Sequence, residues 1–236
     1  MRQRVERKVL KALRREFRGH PSQMRELKSL LRTGYSLERA LGRLFWRLPS
    51  RSSRIVQRVF ARSALDAFTR GADFAIRFDA IDRLGCLRSP PVTSFLIAVL
   101  KNRAEDVRMR GRAAETLALH ETARATRALI SSLDDPAVEV RFWAVFALGS
   151  HPARKAIPAV EAMLGDHAVL PGWWSVAQEA EAVLDSLRTG CGRSAELQTR
   201  VEAILADEHA SAEDRRWAEC YDVRACVSGS RSCSTA

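Results

Sequence analysis

DDPAVEVRFWAVFALGSHPARKAIPAVEAMLGD, residues 134–166, contains a complete helical hairpin. Asp134 or Asp135 is a suitable N-cap, and Pro136 at the first helical position gives up no hydrogen bond. Val140, Ala144, Ala147 and Leu148 recur at helical spacing. Gly149 ends this first helix, and Pro152 keeps it from resuming. Ile157, Val160, Met163 and Leu164 form the apolar side of a return helix.

The hairpin is repeated. Aligning Arg141 with Arg110 and Arg77 gives steps of 31 and 33 residues. Three residues later every copy has alanine (Ala80, Ala113, Ala144). Seven later every copy has leucine (Leu84, Leu117, Leu148), followed by a small residue (Gly85, Ala118, Gly149). The second half of each copy carries Leu96, Leu129 and Val160, then Leu100, Leu133 and Leu164. Asn102, Asp135 and Asp166 close the copies, each placed to cap the next helix. Seven columns agree in three copies. One helix pair cannot bury its apolar side alone, but stacked copies bury it continuously. The small residues allow close approach. The Arg77, Arg110 and Arg141 column is read as a hydrogen-bonding ladder to caps or carbonyls of adjacent repeats.

DDPAVEVRFWAVFALG followed by AIPAVEAML resembles HEAT repeats of the bilin-lyase-like (PBS lyase HEAT-like) subgroup. The resemblance is close over 135–166 and fair over 72–103 and 104–134. It implies an all-α fold, a right-handed α-solenoid of antiparallel helix pairs whose second helices line a concave face. It specifies architecture better than function, since such repeats serve many roles.

Outside the repeats, four more helices are expected before residue 70: 4–18, one capped by Ser22 and ending at Gly34, 36–48, and 53–69. After Asp166 the register breaks. Trp173-Trp174 opens a divergent fourth repeat, with Val176, Ala180, Val183, Leu184 and Leu187 on one side. Helices at 194–206 and 212–221 then cap the stack, the last carrying Trp217. The expected organisation is a basic helical N-terminal region (1–70) packed on the solenoid, HEAT-like repeats (71–190), capping helices (191–226) and a flexible tail (227–236).

Charge is distributed unevenly. Residues 1–70 hold 19 Lys plus Arg against 5 Asp plus Glu, whereas the remainder is slightly acidic in a chain of net charge +11. This points to an anionic partner for the first segment. The excess of Arg over Lys suggests a GC-rich, bacterial genome. There is no apolar run of membrane-spanning length and no signal-like leader, so a cytoplasmic location is expected. The five cysteines (Cys86, Cys191, Cys220, Cys226, Cys233) form no C-x-x-C pair and are expected to be thiols without a metal.

HEAT-like families include enzymes, and three kinds bear on this chain. A di-iron hydroxylase of this architecture needs several His-Glu pairs. Here there is His120-Glu121, with His120 read as a solvated turn residue. A HEAT-like alkylpurine DNA glycosylase holds a damaged nucleotide against aromatics beside a carboxylate. Trp143, Trp173 and Trp174 with Glu179 or Glu181 imitate this without matching its pattern. Nothing in the chain selects for a bilin. There is no phosphate loop, nucleophile elbow or H-E-x-x-H.

The expectation is therefore a non-enzyme with no cofactor or metal, a scaffold or adaptor for a protein partner. Ser94, Lys101, Arg127, Ser131 and Glu161 are its expected contact residues on the second helices. The alternative is sequence-independent nucleic-acid or anionic-surface binding through Arg7, Lys8, Lys11, Arg14, Arg15, Arg18, Arg47, Arg51, Arg54, Arg58 and Arg62, since phosphate contact needs only basic density on one face. The DNA glycosylase-type enzyme is the second alternative.

Overall fold

Apolar residues at helical spacing, broken by Gly and Pro, become ten α-helices among the residues the computed structural model describes, 21–34, 61, 64, 65, 68, 69, 73–85, 87–151, 154–189 and 195–221. The helices expected at 4–18 and 36–48, the eleven basic residues named above, Cys86, Cys191, Cys226, Cys233 and the tail lie outside them. The helix expected at 53–69 is helical at each of its described residues. No helix among the described residues is long and apolar enough to cross a membrane.

The chain divides into two compact units, 1–87 and 88–236. In the first, α1 (Pro21–Arg32) buries Leu27 and ends before Gly34, whose φ of +88° suits glycine. Pro21 rather than Ser22 opens it, consistent with the tolerance of first-turn positions for proline. Helix α2 (Phe74–Gly85) buries Ala80, Ile81 and Leu84. The Arg77 guanidinium lies 4.5 Å from the centre of the Phe68 ring.

In the second unit come α3 (Pro90–Lys101), α4 (Val107–Leu117), α5 (Ala123–Ile130), α6 (Val138–Gly149), α7 (Ile157–Glu161), α8 (Val176–Thr189), α9 (Ala195–Ala206) and α10 (Ala212–Tyr221). First helices stack on first helices: α4 packs on α6, and α6 on α8. Helix α3 packs on α4, α5 on α6, and α9 on α10. This packing of neighbouring helix pairs is that of an α-solenoid.

The columns read from sequence form the core. Ala113, Leu117, Ala144, Leu148, Leu96, Leu129 and Val160 are fully buried. Each buried Leu contributes on the order of 2 kcal/mol of transfer free energy. Gly149 marks the closest approach: a Cβ there would meet Val183 Cγ2 at 2.9 Å, so α6 and α8 pack this tightly only with glycine.

Four expectations are corrected. Helix α6 starts at Val138 with Ala137 as N-cap, two residues later than Asp135-Pro136 suggested. The capping column works differently. Asn102, Asp135 and Asp166 each accept the backbone N–H two residues on, from Ala104, Ala137 and Ala168. These are Asx turns that steer the chain into the next repeat rather than caps on its helix; α4 is capped by Asp106, which accepts from Arg108 N–H at 2.8 Å. The third return helix is broken into 3-10 turn, the short α7 and 3-10 turn (Arg154–Gly165). Its last leucine, Leu164, is 43% exposed, unlike its buried counterparts Leu100 and Leu133. Finally, Trp173-Trp174 precedes the helix. Leu170–Trp173 is a tight turn with Trp173 N–H donating to Leu170 O, and Gly172 at φ +85° supplies its left-handed position. Ser175 and Gln178 then form a capping box that starts α8.

Candidate functional site

Three sets of polar side chains could carry function. The first is the arginine column. Arg110 is buried. It donates from Nε to Leu100 O at 3.1 Å and pairs through its terminal nitrogen with buried Asp135. Arg141 repeats the arrangement one step on. It donates to both oxygens of Asp166, at 2.7 and 3.2 Å, and to Asp135 O at 2.8 Å. Burial tends to raise the Asp166 pKa, but the Arg141 hydrogen bonds, the Ala168 N–H and nearby positive charge outweigh it, so its pKa lies below the usual value. Each arginine thus ties its own repeat to the Asx turn at that repeat's end. Residue 25 after Arg77 is Asn102, so the first copy lacks the carboxylate of the other two.

The second set was missed in the sequence. His120, expected in solvent, is 2% exposed, and its Nδ1 lies 2.9 Å from Thr93 Oγ1. His151 is buried one step later, with Nδ1 2.9 Å from Thr126 Oγ1 and Nε2 2.9 Å from Leu117 O. A carbonyl only accepts, so Nε2 carries the proton and neutral Nδ1 accepts from Thr126. Burial lowers the His151 pKa, against the Leu117 hydrogen bond and the Glu121 charge. The signal was available: Thr93 to Thr126 and His120 to His151 repeat the 33- and 31-residue steps. Both Thr–His pairs hold neighbouring repeats in register, so His120 is a buried core residue and not the solvated turn residue expected from the sequence.

The third set surrounds Glu179 on α8. Its carboxylate is 1% exposed and accepts from Trp174 Nε1 at 2.8 Å and from Tyr221 Oη at 3.0 Å to each oxygen. Burial pushes its pKa up to about 7, against the pull of those two donors. Trp217, fully buried, donates from Nε1 to Gln178 O at 3.1 Å. Trp174 and Tyr221 bring together the turn before α8 and the last turn of α10. Of the aromatics and carboxylates grouped in the sequence, the structure joins Trp174 to Glu179, whereas Glu181 pairs with Arg200, and both Glu179 oxygens are taken by protein donors. An open cleft of about 640 Å³ lies nearby, lined by Leu164, His167, Val169, Gln178, Arg200 and Asp214 among others; Glu179 is not part of its wall. Asp214 is held there by Gln178 and Ser211, and Arg200 by Glu181.

The expected contact residues on the second helices lie as follows. Lys101 and Arg127 are exposed and form no ion pair with a described residue. Ser94 is half-buried, donating to Pro90 O and accepting from Arg124 at 2.7 Å. Ser131 is exposed and its hydroxyl donates to Ala128 O. Glu161 is exposed and pairs with Arg188 at 2.6 Å. No group of three or more His, Cys, Asp or Glu able to hold a metal occurs among the described residues.

Residues 93–184 match the family model for HEAT repeats. The match runs from the first turn of α3 into α8 and includes Arg110 and Arg141 with their aspartates and both Thr–His pairs. No curated protein matches the chain.

Proposed function

We propose that this chain is a non-catalytic HEAT-repeat scaffold, of the bilin-lyase-like repeat subgroup, that binds a protein partner through the surface of its second helices. One observation carries the reading. The polar groups at repeat junctions are consumed internally by the Arg–Asp and His–Thr columns. Lys101 and Arg127, exposed on α3 and α5, have no ion-pair partner among the described residues. Exposed charges of this kind orient and select a partner more than they stabilise a fold. HEAT repeats commonly serve as scaffolds for protein interaction, and the reading is consistent with Glu179 having no open coordination for chemistry.

Site-specific photo-crosslinking tests it. A benzoylphenylalanine placed at Arg127 or Lys101 should yield a discrete adduct with one cellular protein. The same group at Glu208, exposed before α10 and outside both second helices and α6, serves as control. Adducts equally frequent at all three positions, or at none, would refute second-helix recognition.

The uneven charge of the chain favours a second reading, nucleic-acid binding through residues 1–62 that is blind to sequence. Full-length protein should then shift random duplex DNA, with affinity falling steeply as salt rises. The absence of a shift at low salt would eliminate it.

A further inference from the structure

Because the first helices of the three copies align column by column in sequence, departures between copies are informative. Two residues after the column arginine stand Asp79, Arg112 and Trp143; five after it, Asp82, Glu115 and Phe146. Both columns are charged in the first two copies, as a solvated helix face requires, and aromatic in the third. Two residues before the arginine stand Ala75, Arg108 and Glu139. Glu139, Trp143 and Phe146 follow one another at i, i+4 and i+7 along a single face of α6.

The neighbouring repeat accommodates them. Gly111 sits inside α4, where glycine costs about 1 kcal/mol relative to alanine. A Cβ there would come within 2.9 Å of Glu139 Cγ and 3.0 Å of Trp143 Cδ1. The glycine lets both side chains lie against the α4 backbone. Val107, one turn earlier on α4, is 41% exposed, and Phe146 is 37% exposed. Trp173 reaches in from the turn before α8 and is half-buried. Its ring packs edge-on against Trp143 at 5.1 Å, and Phe146 does so at 5.5 Å.

Glu139 is the polar member of this patch. It is half-buried and makes no hydrogen bond or ion pair with a described residue. Burial raises its pKa, the Arg108 charge acts against this, and the Asp106 charge adds to it. Arg108 itself lies 3.7 Å from Asp106. A carboxylate next to aromatic side chains, without a hydrogen bond to a described residue, complements one side chain in particular. A guanidinium offers two parallel N–H groups to the carboxylate and a flat face to the rings. A lysine ammonium offers only the point charge.

We infer that Val107, Glu139, Phe146 and Trp173, packed over the buried Trp143, form a second docking surface, on first helices rather than second, which receives an arginine flanked by apolar residues in a partner protein. The arginine pairs with Glu139 and stacks on the exposed aromatic edge. The flanking apolar residues cover Val107 and Phe146. This surface does not depend on Lys101 or Arg127.

The test is selection from a random phage-displayed heptapeptide library on the full-length protein, followed by affinity measurement with the enriched peptide. Enriched sequences should carry arginine next to Leu, Ile, Val or Phe. Replacing that arginine by citrulline, its neutral isostere, should weaken binding about tenfold, and Glu139→Gln should do the same. The two changes together should cost little more than either alone. Phe146→Ser, an exposed substitution, should weaken binding independently, while Arg127→Ala should leave it unchanged. Circular dichroism establishes that the variants are folded. Enrichment without arginine, or arginine peptides held equally well by Glu139→Gln protein, would overturn the inference. So would self-association of the wild type that Phe146→Ser abolishes, which would assign the patch to a second copy of this chain.

Discussion

Replacing Glu179 by Gln should make the protein more stable at pH 8 and leave it nearly unchanged at pH 5. Glu179 is completely enclosed, and burial pushes its pKa from the ordinary 4.5 up to about 7. At about 1.4 kcal/mol per unit, the ionised form costs on the order of 3 kcal/mol relative to the unfolded chain. The sign follows from proton counting. Below pH 4.5 the carboxyl is protonated in both states and exacts no penalty. Between 4.5 and about 7 the folded state holds a proton that the unfolded state has lost, so stability falls as pH rises. Above about 7 both states are ionised and the full cost is present. Glutamine keeps the size of the side chain. Its carbonyl still accepts from Trp174 Nε1, and its amide donates to Tyr221 Oη.

Thermal unfolding of wild type and Glu179→Gln, followed between pH 5 and 8, measures this. Only the difference between the two proteins is used, so other titrating groups cancel. The variant should gain steadily as pH rises, by several degrees at pH 8, at roughly 2–4 °C per kcal/mol for a domain of this size. A difference that does not vary with pH would show that Glu179 does not titrate between these limits. A variant less stable at every pH would show that ionised hydrogen bonds to Trp174 and Tyr221 outweigh burial, which would refute the reasoning.

Other outcomes follow from the repeat junctions. Asp135→Asn should destabilise by about 3–5 kcal/mol in denaturant unfolding, since it leaves the buried Arg110 charge uncompensated. Asp166→Asn, at a junction only partly buried, should cost less; an equal cost would refute the burial argument. Gly149→Ala should destabilise by about 1–3 kcal/mol through contact with Val183, and Val183→Ala in the same chain should recover most of that loss. If Val183→Ala adds its own cost instead, the close approach of α6 and α8 is not what requires glycine. The lowered His151 pKa acts in the opposite direction to Glu179. Its contribution is intact above the ordinary histidine value of 6.5 and is lost as pH falls below it. The stability difference between wild type and His151→Gln should therefore shrink on acidification, and one independent of pH would show that His151 does not titrate in this range.

The architecture was readable because solenoid packing imposes one environment per column. Ala113 and Ala144, or Leu117 and Leu148, occupy equivalent environments, so their recurrence in sequence reports burial directly. Residues whose role depends on a partner far along the chain were harder. His120 looks like a turn residue because it follows a helix end. Its burial is decided by Thr93 on α3, 27 residues earlier, and only comparison with Thr126 and His151 would have exposed the pair. Glu179 and Trp174 were noticed for their chemistry. Tyr221, which completes the site from α10, carries no local pattern that points back 42 residues. The Asx turns were misassigned as caps for a simpler reason: a side chain that accepts an N–H two residues on can serve either structure, and the helix start decides which.

The third copy is where these threads meet. Pro158 and Gly165 bracket a return segment too irregular for a full second helix, and Leu164 is left outside the core. The step to the next repeat is no longer 31 or 33 residues, since α8 begins only after the turn that carries Trp173 and Trp174. That turn lays aromatic rings over α6, where the earlier copies present charged side chains to water. A regular stack offers every repeat the same surface. New surface chemistry therefore arises most easily where regularity ends, because positions there are no longer constrained by an identical neighbour. Gly111 shows that the preceding repeat has adjusted as well. It is the small residue between Phe78 and Phe142 in its column, and it lies directly beneath Glu139 and Trp143. Irregularity at the end of a repeat array is usually explained as capping. Capping accounts for the fully buried Trp217 and the enclosed Glu179, but it does not account for an exposed phenylalanine and, on the same helix face, a carboxylate without a hydrogen-bond or ion-pair partner among the described residues.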